Sequence, residues 1–258
     1  MRTAIHGTAI IHDGARLGAG VSIGPYSVIG PDVVIGDETS VGSSVLIEGY
    51  TEIGRKNRIF HGAALGSEPQ DLKYGGGRTY TRIGDGNTIR EYVTVNSATG
   101  EGDATVIGSN CLLMAYVHVA HDCAISDNVI LANAVNLAGH VSVHEYAIVG
   151  GIVPVHQFVR IGAHSFIGGG SRIPKDIPPF VKVAGNPPKV CGLNSVGLKR
   201  RGFDEGKLDL IGKAYRFLYR SGLNVSQAVE RIERELEETP ETRTFLDFIK
   251  SSRRGISL

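Results

Sequence analysis

This chain has almost no net charge. Its 27 lysines and arginines face 26 acidic residues, so nothing in the balance recommends a nucleic acid or an anionic membrane as partner, although a local basic patch stays possible. It also lacks any run of about 18 apolar residues, the length a membrane-spanning helix needs. The first twenty residues hold no basic segment followed by an apolar stretch, so a secretory leader is not expected and a cytoplasmic location is. Cysteine is scarce. Cys111, Cys123 and Cys191 are odd in number and contain no Cys-x-x-Cys spacing, which argues against a disulfide framework and a thiolate zinc site and favours buried small hydrophobes. What is abundant is glycine, 35 residues of it, in a chain whose 41 % hydrophobic content suffices for a substantial core.

The glycines belong to a repeat of six. Stepping by six from Ile5 to Ile173 gives 29 positions, of which 26 are Ile, Leu or Val; only Asp71, Gly77 and Glu101 break the series. A period of six is neither the 3.6 of a helix nor the alternation of a long strand, so the unit is a short strand and a corner. Twelve of the aliphatics are followed directly by glycine, as in Ile23-Gly24 and Ile35-Gly36, and the expectation is that glycine supplies the backbone angles of a tight corner. The position four after each aliphatic is often small or β-branched (Ala15, Val21, Ser27, Thr39), which suits a second inward site. Stacked aliphatic columns of this kind make a parallel β-helix, here of about ten coils. Two polar, glycine-rich interruptions, at 66–82 and 96–105, are expected to leave it as loops. After Pro174 the pattern gives way to a proline-rich exit and then to helical sequence: Asp204 caps a helix to about Arg220, a second runs from Val225 to about Glu238, and Pro240 opens a third. The expected division is a β-helix over 1–190 and a small α-helical domain over 191–258.

Titratable side chains cluster at His118-Val119-Ala120-His121-Asp122, with His140, His144 and His156 downstream. Three hexads make one coil, so adding 18 moves one coil along the same face: His121 falls on Gly139 and then Gln157, Asp122 on His140, and His118 on Asn136. An imidazole base, a carboxylate and a glycine amide that can approach an oxyanion closely are the parts acyl transfer requires. Neutral imidazoles also ligate zinc, and His118, His121 and His140 are the alternative set.

Five strings carry a resemblance: Ala120-His121-Asp122-Cys123, Leu137-Ala138-Gly139-His140, Val155-His156-Gln157-Phe158, Gln70-Asp71-Leu72-Lys73-Tyr74, and Gly197-Leu198-Lys199-Arg200-Arg201-Gly202-Phe203. In this order on a hexapeptide repeat, they make the chain similar to the UDP-N-acetylglucosamine O-acyltransferase family over nearly its whole length. The resemblance implies a left-handed coil, against the right-handed preference of ordinary crossovers. It implies transfer of a 3-hydroxyacyl chain from acyl carrier protein to the 3-position of UDP-N-acetylglucosamine, the first step of lipid A synthesis, without cofactor or metal.

By the same resemblance His121 is the general base, Asp122 orients it and the Gly139 amide holds the oxyanion. Gln70, Asp71, Lys73, His118, His140 and Gln157 position substrate, His156 and Asn194 help bind the sugar nucleotide, and Arg200 and Arg201 meet phosphates or the acidic carrier. A homotrimer with sites between neighbouring prisms is implied. Asn96-Ser97-Ala98-Thr99, Pro187 and Val196 depart from the family pattern and bear on the acceptor contacts and the acyl length, as does Gly169, which would leave the acyl groove open at its far end. Two alternatives stand beside this reading: the same transfer to a 3-amino sugar nucleotide, and a non-catalytic β-helix scaffold.

Overall fold

In the computed structural model, which describes residues 3–258, two-residue strands recur every six residues and end on the aliphatic frame, as in Ser22–Ile23, Val28–Ile29 and Val34–Ile35. Each pairs in parallel with the strand one coil on: Ile5 with Ile23 in sheet I, Ile11 with Ile29 in sheet II, Leu17 with Ile35 in sheet III. Sheet I has 11 strands and the other two have 8 each, and together they form a left-handed parallel β-helix of triangular section. Bridges Val155–Ile173 and Ile161–Ile177 extend sheets II and III, and Val181–Ala184 adds a further parallel rung to sheet I. The frame residues fill the interior: Ile29, Ile47, Leu65, Val95, Val119 and Leu137 are fully buried. Each contributes roughly 1.5–3 kcal/mol by leaving water.

The corners are not built by the glycines that follow the aliphatics. Left-handed backbone falls two residues later, mostly on side-chain-bearing residues such as Tyr26 (φ 59°), Asp122 (φ 59°) and His140 (φ 60°), and at a few corners on glycine, as at Gly20 (φ 71°) and Gly62 (φ 69°). That conformation costs a side-chain-bearing residue about 1–2 kcal/mol. It is offset by a hydrogen bond to the preceding coil, as when the His140 amide donates to the His121 carbonyl (3.0 Å) and the Phe158 amide to that of Gly139 (3.1 Å). The post-aliphatic glycines serve close approach instead. A Cβ on Gly24 would lie 2.6 Å from the carbonyl carbon of Gly42 on the next coil, and one on Gly36 would lie 2.7 Å from that of Gly54.

The inner position four after the aliphatic carries the polar core. The Ser27 hydroxyl donates to the Gly42 carbonyl (2.8 Å), and the Cys111 and Cys123 thiols take equivalent places on Ser126 (3.1 Å) and Ala138 (3.2 Å). Burial pushes those thiols up to about 11 and about 12. The expectation of buried cysteines holds for these two and fails for Cys191, which is exposed on the strand Lys189–Leu193.

Both insertions leave from the edge between sheets II and III. The first spans 68–79, between Ala64–Ser67 and Tyr80–Ile83, and the second spans 97–103, between Thr94–Asn96 and Ala104–Ile107. Both are shorter than the sequence pattern suggests because the flanking strands lengthen into the polar residues. Past the prism come α1 (Ser195–Arg200), α2 (Glu205–Tyr219), α3 (Val225–Glu235) and α4 (Pro240–Lys250). Asp204 caps α2 and Pro240 opens α4 as expected, while α3 stops three residues short of Glu238, and α1 is a further helix. Ile211, Ala214 and Leu218 of α2 are buried with Phe180, Leu198, Ile232, Phe245 and Ile249 in a second core. Residue 190 lies inside the strand Lys189–Leu193, which pairs antiparallel with Val181–Ala184.

The helices seat on the edge between sheets III and I. There the His164 ring stacks on Tyr146 (4.9 Å between centroids), meets Phe203 edge-on (5.0 Å) and faces Phe180 (5.8 Å). Burial first, and then the nearby Arg201 charge, lowers its pKa to about 4. The unfolded chain, with an ordinary histidine near 6.5, therefore takes up this proton before the native state does, so stability falls as pH drops from about 6.5 to about 4. His164→Phe, continuing the aromatic column, is expected to flatten that decline in denaturant midpoints measured across this range. An unchanged slope would mean that His144 and His118, which burial also lowers, carry the effect.

Candidate active site

The edge between sheets II and III is one continuous column of functional side chains. It runs from the two loops through His121-Asp122, Gly139-His140 and Gln157-Phe158 to Lys175-Asp176, one pair per coil, with coils about 4.8 Å apart. At its centre the His121 Nδ1–H donates to Asp122 Oδ2 (2.7 Å), and both side chains are largely shielded, 14 % and 10 % exposed. Burial would raise the Asp122 pKa, but hydrogen bonds from His121 and from the Thr99 hydroxyl (2.7 Å) and amide (3.3 Å) outweigh it and hold the carboxyl below its ordinary range. An ionised carboxylate only accepts. Nδ1 therefore carries the proton, and Nε2 is left with a lone pair directed away from Asp122.

Asp122 owes its place to an exception. At most other corners the amide of the left-handed residue finds a carbonyl on the coil before, but here that coil is opened by the second loop, and the Asp122 amide donates to the Thr105 hydroxyl instead (2.8 Å). The two loops brace each other above it. The Asn96 side-chain amide donates to the Glu68 carbonyl (2.7 Å), the Ser97 amide to the Ser67 carbonyl (2.9 Å), and the Thr79 hydroxyl to the Ser97 hydroxyl (3.1 Å). Asn96 and Ser97, which the sequence marks only as departures, are thus buried struts.

From the first loop Asp71 reaches in to place Oδ2 3.9 Å from His121 Nε2, a gap that a hydroxyl set to one side can bridge with a hydrogen bond to each. Gln70 and Lys73 are exposed beside it. Gly139 is buried beneath the imidazole. Among the described residues nothing accepts from its amide, so that donor is available. His140 stands edge-on to His121 (5.2 Å), with Nε2 3.6 Å from Asp122 Oδ2, and stacks on Phe158 (4.6 Å). His118, half-buried, shares a hydrogen bond with Thr94 through Nδ1 (2.8 Å), and burial, then the proximity of His121, keeps its pKa low. Gln157 and His156 are exposed at the next coil.

The other expected residues lie elsewhere in the chain. His144 packs against Phe248 of α4 rather than joining the cluster. Arg201 sits over the Tyr146 ring (5.1 Å) on the edge between sheets III and I, and Arg200 is exposed at the end of α1. Asn194 is 5 % exposed, with its side chain committed to capping α1 at Gly197 (3.3 Å) and to the His164 carbonyl (2.9 Å). Gly169 lies on the third edge. Among the described residues, those close enough to share a metal are His121, Asp122 and His140, with ligand atoms within 4.8 Å, and His118 is not one of them. Asp122 Oδ2 is already shared by the His121 and Thr99 donors, an arrangement that orients a base.

A methyl group at Gly139 would lie 2.3 Å from His121 Cε1 and 2.5 Å from Nε2, while the local φ is one that alanine accepts. Gly139→Ala is expected to cost about 10²–10³ in turnover with melting behaviour little changed. Full activity in that variant would mean that the imidazole can move aside without loss.

A family model described as UDP N-acetylglucosamine O-acyltransferase, domain 2, matches residues 176–257, and one for the bacterial transferase hexapeptide (six repeats) matches 14–49 and 104–139. Over 208 residues the chain is 52 % identical to a protein of Gloeothece citriformis named acyl-[acyl-carrier-protein]--UDP-N-acetylglucosamine O-acyltransferase, covering 81 % of this chain and 75 % of that one. A Synechocystis protein of the same name is 50 % identical over the same shares. The structure of the Francisella novicida UDP-N-acetylglucosamine acyltransferase superposes with a TM-score of 0.95 at 41 % identity, covering 98 % of this chain and 93 % of that one. A hexapeptide prism, an imidazole set over a glycine amide and relatives at this identity lead to one conclusion: this chain belongs to the UDP-N-acetylglucosamine O-acyltransferase family.

Proposed function

We propose that this chain transfers a 3-hydroxyacyl group from acyl carrier protein to the 3-hydroxyl of UDP-N-acetylglucosamine, the opening reaction of lipid A synthesis, with His121 as general base. The observation that carries the assignment of the base is the His121–Asp122 pair, closed at 2.7 Å on Nδ1 and open on Nε2 above the Gly139 amide. As the sugar hydroxyl attacks the thioester carbonyl, its proton passes to Nε2. The carbonyl oxygen becomes an oxyanion, which accepts from the Gly139 amide. Collapse breaks the carbon–sulfur bond, and the departing thiolate recovers the proton from His121. Asp122 stays ionised throughout and stabilises the imidazolium, a division of labour known from other carboxylate-oriented histidines.

Asp71, with Gln70 and Lys73 beside it, holds the acceptor against the base from above, while His118, His140 and Gln157 line the coils on either side. His156 and Asn194 belong to the nucleotide end of the same reading, Asn194 through the helix α1 that it caps. Arg200 and Arg201 serve phosphates or the carrier protein from the edge between sheets III and I. Because that edge and the His121 edge are different corners of one prism, these groups work together only if a neighbouring chain brings its corner alongside. This geometry supports the homotrimer. Among the described residues no helix is long and apolar enough to cross a membrane, which is compatible with the cytoplasmic setting we assign.

Light scattering is expected to give three times the chain mass, and a monodisperse, active monomer would overturn the intersubunit site. The reaction is tested by following labelled UDP-N-acetylglucosamine into acylated product with a panel of 3-hydroxyacyl carrier proteins. His121→Ala should lose about 10² or more in turnover. Equal activity in the variant would remove His121 as the base. No product from the wild type, with product from the 3-amino analogue, would move the acceptor atom to nitrogen. Absence of product from both would favour the scaffold alternative.

A further inference from the structure

One carboxylate on the edge between sheets II and III faces two imidazoles. Asp122 Oδ2 lies 2.7 Å from His121 Nδ1 and 3.6 Å from His140 Nε2. The His140 ring is stacked on Phe158, with 4.6 Å between centroids and 9° between planes, so the second imidazole is a fixed competitor for that oxygen. The last torsion of an aspartate is broad, and its rotamer preference does not select between the two rings. A group outside the side chain has to.

Thr99 in the second loop meets both carboxylate oxygens, its hydroxyl donating to Oδ2 (2.7 Å) and its amide to Oδ1 (3.3 Å). Two donors on two oxygens fix the plane of the carboxylate. The hydroxyl and the His121 Nδ1–H together fill the two acceptor sites of Oδ2, which leaves none for His140. At 3.6 Å His140 Nε2 is beyond a hydrogen bond. The loop that carries Thr99 is held on both sides of it: Ala98 is fully buried, the Ser97 amide donates to the Ser67 carbonyl (2.9 Å), and the Gly102 amide donates to the Arg78 carbonyl (2.9 Å). The Arg78 amide in turn donates to the Glu101 carboxylate (2.8 Å).

We propose that Thr99 is a positioning residue for the transfer reaction, committing the Asp122 carboxylate to His121 and withholding it from His140. This rests on the reading of His121 as general base and names the group that keeps the base oriented. Removing the hydroxyl vacates an acceptor site on Oδ2, and the His140 tautomer with its proton on Nε2 then has a place to donate. Two rings sharing one carboxylate weaken the bond from His121 Nδ1–H. With that bond goes the enforced tautomer, the one that leaves Nε2 free to take the proton of the attacking group. Thr99 touches neither substrate in this scheme and acts only through Asp122.

The test compares wild type, Thr99→Val, which keeps the shape and the amide but not the hydroxyl, and Thr99→Ser, which keeps the hydroxyl. Steady-state kinetics give kcat and the KM of each substrate, and proton NMR reads the downfield resonance of the His121 Nδ1–H, assigned by its absence from His121→Ala and its presence in His140→Ala. Thr99→Val is expected to lower kcat about tenfold, a part of the about 10²–10⁴ that a positioned base supplies, with both KM values unchanged and the resonance shifted upfield or lost. Thr99→Ser is expected to restore both. A raised KM with kcat intact would make the loop a substrate contact and overturn the positioning role, as would a serine variant that behaves like the valine one. If the wild type transfers no acyl group, the reaction proposed above fails on the kinetic arm. The resonance still judges Thr99, because it needs no turnover, and an unchanged signal in Thr99→Val overturns the proposal whatever the kinetics.

Discussion

The hydrogen bonding of each coil to the next is the constraint on which the rest of this structure depends. Ile5 pairs with Ile23 and Ile23 with Val41, and each insertion is extruded so that the frame resumes on the same column, as when Ile59 pairs with Ile89. Any residue is consequently stacked on the residue one coil away, and three demands follow. Inward positions must be aliphatic, post-strand positions must often lack a Cβ where coils press together, and the corner residues must accept a left-handed backbone in return for a hydrogen bond between coils.

The candidate active edge is that same constraint applied to polar residues. Stacking puts a histidine over a glycine amide, a carboxylate beside that histidine and a second imidazole below, all without a flexible element to order them. Where the stacking is interrupted, the sequence supplies substitutes. Thr105 replaces a missing carbonyl for the Asp122 amide, and Thr99 supplies hydrogen bonds that keep the Asp122 carboxyl ionised despite its burial. The loops are therefore part of the electrostatics of the site as well as its cover. In the mechanism we propose, the chain relies on preorganised donors and a held tautomer, which need no reorganisation as charge develops.

The helices are placed by the prism, through the aromatic column of Tyr146, His164 and Phe180 that meets Phe203. Their chain then returns along sheet III, and the last residues are laced to Asp176 at the foot of the edge between sheets II and III. This return brings Arg253 and Arg254 to the side of Arg160, some 90 residues away in the chain. The Lys199-Arg200-Arg201 run, conspicuous in the sequence, has Lys199 paired with Glu205 (2.8 Å) and Arg201 set over the Tyr146 ring.

The sequence by itself determined the coil. Its six-residue frame identified the β-helix, the columns and the stacking of His121 on Gly139, because a residue's neighbour in this fold is a matter of counting. It also located α2 and α4 through Asp204 and Pro240, whose capping chemistry is local. Tertiary structure decided what counting cannot reach. Most left-handed corners fall on residues such as Tyr26 and Asp122, with glycine only at a few such as Gly20 and Gly62, while the glycines directly after the strands mainly answer to distances between coils. His144 is a packing residue, Asn194 a cap, and Asn96 a strut between loops, because each meets partners far away in sequence that no periodicity records.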